Sequence, residues 1–232
     1  MPCFSKHHKH LIKIKYMEYT MKIISVTELA IPDVKVIRYG RFADHRGYFT
    51  ESFRKSDFFN PANLPFMKGL EFLQVNESFS KTNTVRGLHY QWNPFMGKLV
   101  RTIRGHMVDI VLDIRRGSPT FGKAILYDMP DDPGRDYNEW IWVPPGFAHG
   151  NYYKTESQIE YFCTGEYSPG CEAGISPLSA DIDWALCDPS LKKEYDSIVK
   201  TTSLITDKDR DGFTLESWLA DERSDNFIYG KC

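Results

Sequence analysis

The run from His106 to Ile114 limits what this chain can fold into more than any other stretch. His106, Val108, Ile110, Leu112 and Ile114 share one parity; Met107, Asp109, Val111 and Asp113 share the other. A period of two belongs to a β-strand, here with one apolar face turned to a core. Turn residues bracket it. Arg104-Gly105 reads as a hairpin turn before the strand, and Arg116-Gly117-Ser118-Pro119 as a turn after it.

The same grammar repeats along the chain. Met21–Val26 and Val34–Arg38 are short strand candidates, and Asp44–Phe53 reads as a turn running into an edge strand. Gly122–Tyr127, Trp140–Val143 and Gln158–Cys163 follow, the last with Ile159, Tyr161 and Cys163 on one face. Trp140 and Trp142 are expected in a core or interface. Ser56–Phe59 suits one helical turn, ended by Asn60-Pro61. Short strands at regular spacing with Gly and Pro punctuation predict an all-β sandwich or barrel.

Helical character appears only late. Asp188-Pro189 can cap and start a helix in which Leu191, Tyr195 and Ile198 keep helical spacing, and Thr214–Leu219 is a second candidate. The polar tail from Asp221 to Cys232 is expected to be mobile unless it docks. Residues 1–20, with the run Lys6-His7-His8-Lys9-His10, read as an appendage. Residues 21–187 then form the β domain and 188–232 a short C-terminal helical segment and tail.

Composition narrows the function class. The net charge of −2 across 232 residues gives no global field for nucleic acid or an anionic membrane. Cys3, Cys163, Cys171, Cys187 and Cys232 are odd in number and form no C-x-x-C, which argues against a disulfide framework or zinc ribbon. No run approaches the roughly 20 apolar residues of a membrane span. A cytoplasmic protein is the expectation.

The chemistry-bearing stretch is Val85-Arg86-Gly87-Leu88-His89-Tyr90-Gln91, followed by Lys98-Leu99-Val100-Arg101. Alternation turns Leu88 and Tyr90 away from the face of His89, and Gly87 leaves room for something to approach. A lone strand histidine is more often a satisfied structural residue than a base. Lys98, Tyr161 and His149 add weight to the base reading. Pro144–His149 matches the P-x-G-x-x-H half-motif of the cupin barrel. The other cupin half-motif would read H-x-H, but here it is His89-Tyr90-Gln91. A metal site normally needs three or four N/O ligands, so no metal is expected. A metal-dependent cupin and a non-catalytic sugar-binding cupin remain as alternatives. In a metal-free site, His89 can act as base, Tyr161 as acid, and Lys98 or Arg86 can stabilise an oxyanion.

Several separate motifs together resemble the dTDP-4-dehydrorhamnose 3,5-epimerase family, a metal-free branch of the cupins. The family's R-G-L-H-x-Q stands as Arg86–Gln91, its K-L-V-R as Lys98–Arg101, and its D-x-R-G-x-F-x-E as Asp44–Glu51. Its D-I-R-x-G-S-P-T-F-G stands as Asp113–Gly122 and its P-x-G-x-x-H-G as Pro144–Gly150. Tyr167-Ser168-Pro169, Asp181-Ile182-Asp183-Trp184 and Thr206-Asp207-Lys208-Asp209 complete the set. The chain departs from the pattern at Asn151, where the family usually has Phe, and in an insertion between Trp184 and Asp209.

The resemblance implies a cupin jelly roll, a nucleotide-sugar substrate and a homodimer working without a cofactor. It implies His89 as base, Asp209 as its orienting partner, Tyr161 as acid and Lys98 as enolate stabiliser. Arg46, Phe49 and Glu51 would contact the nucleotide, reaching across the dimer. Gln74, Asn76 and Tyr167 would bind phosphate or nucleotide, with Arg86 near the enolate and His149 lining the sugar pocket. The implied reaction is 3,5-epimerisation of a dTDP-linked 4-keto-6-deoxy sugar. Epimerisation at a single carbon, or ketoisomerisation of a GDP- or CDP-linked sugar, is the alternative.

Overall fold

The computed structural model describes residues 22–201 and 203–232. The appendage 1–20 and Met21 therefore lie outside the described residues. In chain order the strands are β1 (Ile23–Glu28), β2 (Lys35–Gly40), β3 (Phe42–Asp44) and β4 (Gly47–Phe49), followed by the helical turn α1 (Lys55–Phe58). Then come β5 (Gln74–Ser80), β6 (Val85–Gln91), β7 (Lys98–Arg104), β8 (His106–Asp113) and β9 (Ala124–Pro130). The last strands are β10 (Tyr137–Val143), β11 (Phe147–Tyr153), β12 (Ser157–Cys163) and β13 (Glu172–Gly174). Helices α2 (Pro189–Thr201), α3 (Asp207–Arg210) and α4 (Leu215–Ala220) close the chain.

The main strands form two antiparallel sheets, ordered β1-β2-β10-β7-β12-β5 and β13-β6-β11-β8-β9. Successive strands β6 to β8 and β9 to β12 cross between the sheets, as in a jelly roll. Val36, Val100, Met107, Val111, Ile141 and Ile159 fill the space between the sheets.

Both outer faces are also covered. Segment 53–72 lays Phe58, Leu64 and Met67 against Tyr39, Leu99, Trp140 and Trp142. On the other side, Tyr195, Ile198, Leu215, Trp218 and Phe227 cover Leu88, Tyr90, Val108, Ile110 and Leu112. Burying each such side chain contributes about 1.5–3 kcal/mol. The expected single buried face of the 106–114 strand is thus corrected. From Met107 to Asp113, β8 is buried on both faces, because the C-terminal helices cover what would otherwise be the wet side.

Three further expectations change. Arg104-Gly105 is not a hairpin turn, since β7 and β8 belong to different sheets. It is a corner, and Gly105 (φ +93°) is needed because a Cβ there would stand 2.3 Å from the Glu156 carbonyl oxygen. Residues 44–53 are not an edge strand of either sheet. Part of the segment pairs with β3 as the separate hairpin β3–β4. The tail is docked. Phe227 is fully buried, and the Arg116 N–H donates to its carbonyl at 2.7 Å.

The helix starts follow their caps. Asp188 Oδ1 accepts from the Ser190 N–H at 2.7 Å, and Thr214 forms a capping box with Ser217 at the head of α4. Among the described residues, no helix is long and apolar enough to cross a membrane.

Candidate active site

His89 sits on β6 in the five-stranded sheet, and Lys98 and Tyr161 sit on β7 and β12 in the six-stranded sheet. The imidazole and the other two groups therefore occupy opposite walls of the sandwich. All three line one open cavity of about 350 Å³, together with Gln74, Asn76 and Tyr167. Lys98 and Tyr161 also line a narrower inner recess of about 90 Å³, with Arg86, His149, Asn151 and Ser78.

Simple alternation would set Arg86 on the face of Leu88 and Tyr90. A β-bulge prevents this. β11 pairs His149 with His89 but Asn151 with Arg86, so β6 carries one extra residue between them. The bulge turns Arg86 to the His89 side. Gly87 (φ +99°) permits it, and the backbone of β11 comes close to it. A Cβ there would meet the His149 carbonyl oxygen at 2.6 Å and Gly150 Cα at 2.7 Å.

His89 Nε2 lies 2.7 Å from Asp209 Oδ1. The other oxygen, Oδ2, accepts from the Gly87 N–H at 3.3 Å. The Thr206 side chain caps α3 by accepting from the Asp209 N–H at 3.3 Å. Burial alone would raise the Asp209 carboxyl. The His89 hydrogen bond and charge, with the Gly87 N–H, outweigh it and hold Asp209 below the usual carboxylate range. With Nε2–H directed at Asp209, a neutral His89 keeps its lone pair on Nδ1.

Burial lowers the Lys98 ammonium, against partial support from the nearby Cys163, Asp109 and Glu172. Among the described residues no carboxylate pairs with it, so its charge is not spent on a salt bridge. Burial raises the Tyr161 phenol, as does the neighbouring Cys163, so it stays protonated at neutral pH. Such a set can remove a proton beside a ketone from one wall and return one from the other.

Gln91, at the position of the missing cupin histidine, serves the scaffold. Its Nε2 donates to the Pro94 and Glu166 carbonyls, and its Oε1 accepts from the Ser168 N–H at 2.9 Å.

Three predicted residues lie apart from the cavity within one chain. Arg46 pairs with Asp44 at 2.6 Å, Phe49 is 66 % exposed on β4, and Glu51 pairs with Arg54. Conversely, sequence reasoning missed two residues at the site, Asp109 and Glu172. Asp109 hydrogen-bonds His149. Glu172 lines the cavity, accepts from the Tyr167 hydroxyl at 3.4 Å and from Lys208 Nζ at 3.0 Å. Asp109 had left a signal as the acid midway along an apolar strand.

The family model described as dTDP-4-dehydrorhamnose 3,5-epimerase matches residues 28–217. The chain belongs to the dTDP-4-dehydrorhamnose 3,5-epimerase family. The enzyme of that name from Sinorhizobium fredii is 41% identical over 175 residues, covering 73% of this chain and 85% of the relative. The one from Shigella flexneri is 37% identical over 172 residues, covering 72% and 91%. Among solved structures, the Legionella pneumophila dTDP-6-deoxy-D-glucose-3,5-epimerase, in complex with dTDP-4-keto-L-rhamnose, aligns with a TM-score of 0.71 at 29% identity. It covers 88% of this chain and 97% of its own. A 3′-monoepimerase from Streptomyces bikiniensis in complex with dTDP-quinovose aligns with a TM-score of 0.69 at 27% identity, covering 83% and 89%. This family of epimerases has the jelly-roll architecture found here, and its members are isomerases acting on carbohydrates.

Proposed function

We propose that this epimerase inverts a dTDP-linked 4-keto-6-deoxy sugar at carbons 3 and 5, forming the 4-keto-rhamnose nucleotide. The observation that carries the reading is the cavity with His89 on one wall and Tyr161 and Lys98 on the other. His89 Nδ1 takes the proton from the carbon beside the ketone. The bonding pair moves into an enolate whose oxygen meets Lys98, with Arg86 nearby. Tyr161 returns a proton to the opposite face, and Asp209 holds the His89 tautomer and supports the imidazolium.

Gln74, Asn76 and Tyr167 bind the nucleotide end, and His149 lines the sugar pocket. Arg46, Phe49 and Glu51 serve the nucleotide of a neighbouring subunit. This needs a homodimer, and the exposed Phe42, Tyr48 and Phe49 on the β3–β4 hairpin supply apolar surface for it. The free thiols Cys163, Cys171, Cys187 and Cys232 suit a reducing cytoplasm.

Product analysis tests the reading. Purified protein with dTDP-4-dehydro-6-deoxyglucose should yield the doubly inverted sugar. Inversion at carbon 3 alone would move the assignment to a monoepimerase, the activity named for the Streptomyces bikiniensis relative. No conversion, or conversion abolished by chelators and restored by a metal, would overturn it. Sedimentation should give a dimer, and Arg46→Ala should raise KM for the nucleotide sugar with little change in kcat.

A further inference from the structure

Behind the proton-transfer groups lies a buried polar network that the proposed chemistry does not use. Asp109 is fully buried in the middle of β8. Its Oδ1 accepts from Asn151 Nδ2 at 2.6 Å and lies 2.7 Å from His149 Nε2. Its Oδ2 is buried without a hydrogen-bond partner among the described residues. The carboxylate is therefore held by two side chains, set two residues apart on β11.

Asn151 is only 5 % exposed, an unusual place for an amide. The strand does not require it, because its backbone is already paired with Asp109 on β8 and Arg86 on β6. Its side chain is fixed from both ends. Nδ2 also reaches Met107 Sδ at 3.2 Å, and Oδ1 accepts from the Tyr153 hydroxyl at 3.4 Å.

We propose that Asn151 is a positioning residue for the epimerase reaction, acting through Asp109 on His149. The proposal rests on the epimerase reading. A carboxylate with one donor can turn about its terminal torsion, whereas two donors converging on one oxygen fix it. Asp109 then commits the Nε2 side of His149 and leaves Nδ1 as the nitrogen free for the recess. The recess, about 90 Å³, is too small for a sugar ring but takes a hydroxyl with a water or two. Its walls include Lys98 and Tyr161, so a misplaced imidazole is felt by the groups handling the enolate oxygen and the returning proton.

Asn151→Leu keeps the branched shape and removes the amide, and the smaller Asn151→Ser serves if leucine does not fold. The expected result is a folded protein whose kcat falls about tenfold or more while KM stays within about threefold. The ¹⁵N ring resonances of His149 should also leave the wild-type tautomer pattern. A folded variant with wild-type kcat and an unchanged His149 pattern would overturn the proposal. So would a lowered Tm with kcat per folded molecule unchanged, which marks a purely structural role. If the wild type itself exchanged no substrate proton with solvent, the epimerase reading would fail. The NMR comparison needs no substrate, so it would still decide whether Asn151 sets the His149 tautomer.

Discussion

His89 Nε2 and Asp209 Oδ1 meet at 2.7 Å although 120 residues separate them in the chain. The contact joins the middle of β6 to a capped helical turn that follows α2 in the chain. A carboxylate so placed selects the imidazole tautomer. Asp209→Asn keeps the shape but can present the wrong hydrogen-bonding group to Nε2. The expected outcome in steady-state kinetics is a kcat lowered by about 10²–10⁴ with a small change in KM.

The same pair makes stability depend on acid. The Asp209 carboxyl is depressed in the fold, despite burial, by its His89 and Gly87 partners. Its folded-state proton affinity is below that of the unfolded chain. The stabilisation is therefore full above the ordinary Asp value of about 3.9 and is lost as pH falls through the lower folded value. Urea denaturation should show Asp209→Asn less stable than the wild type at neutral pH, with the gap closing in the acid range.

Tyr161→Phe separates removal of the proton from its return. Burial keeps the phenol protonated, which suits a donor. Without it, His89 can still take and replace a proton on its own wall. The expected outcome is inversion slowed by about 10²–10⁴ while deuterium from solvent still enters with retained configuration, as read by proton NMR and product analysis.

Much of this was legible in the sequence, for physical reasons. Period-two runs and Gly/Pro breaks marked most strands, and P-x-G-x-x-H aimed His149 inward. The corner at Arg104-Gly105 was not, because a glycine turn looks the same whether the chain returns within a sheet or crosses to the other. Alternation alone would misplace Arg86, because a bulge is invisible until β11 is laid beside β6. Asp109 stood out among apolar neighbours, yet its partners His149 and Asn151 lie about forty residues away. The docking of the tail depends on Tyr90 and Trp218 facing the same way, which local pattern does not reveal.

That docking has a consequence for stability. Phe227 packs its ring against Tyr90 at 5.3 Å and Trp218 at 6.0 Å between centroids, on the outer face of the strand that carries His89. Phe227→Ala should cost about 3–5 kcal/mol. Calorimetry should show Tm lower by roughly 10 °C, and the purified variant should keep its active-site chemistry below that temperature.

The central claim is that one imidazole removes the proton. The direct measurement is proton NMR of dTDP-4-dehydro-6-deoxyglucose in deuterated water with wild-type and His89→Ala protein. The account predicts rapid deuterium entry beside the ketone with the wild type and none above background with the variant, while dTDP still binds the variant. Wild-type exchange rates in folded His89→Ala would contradict it.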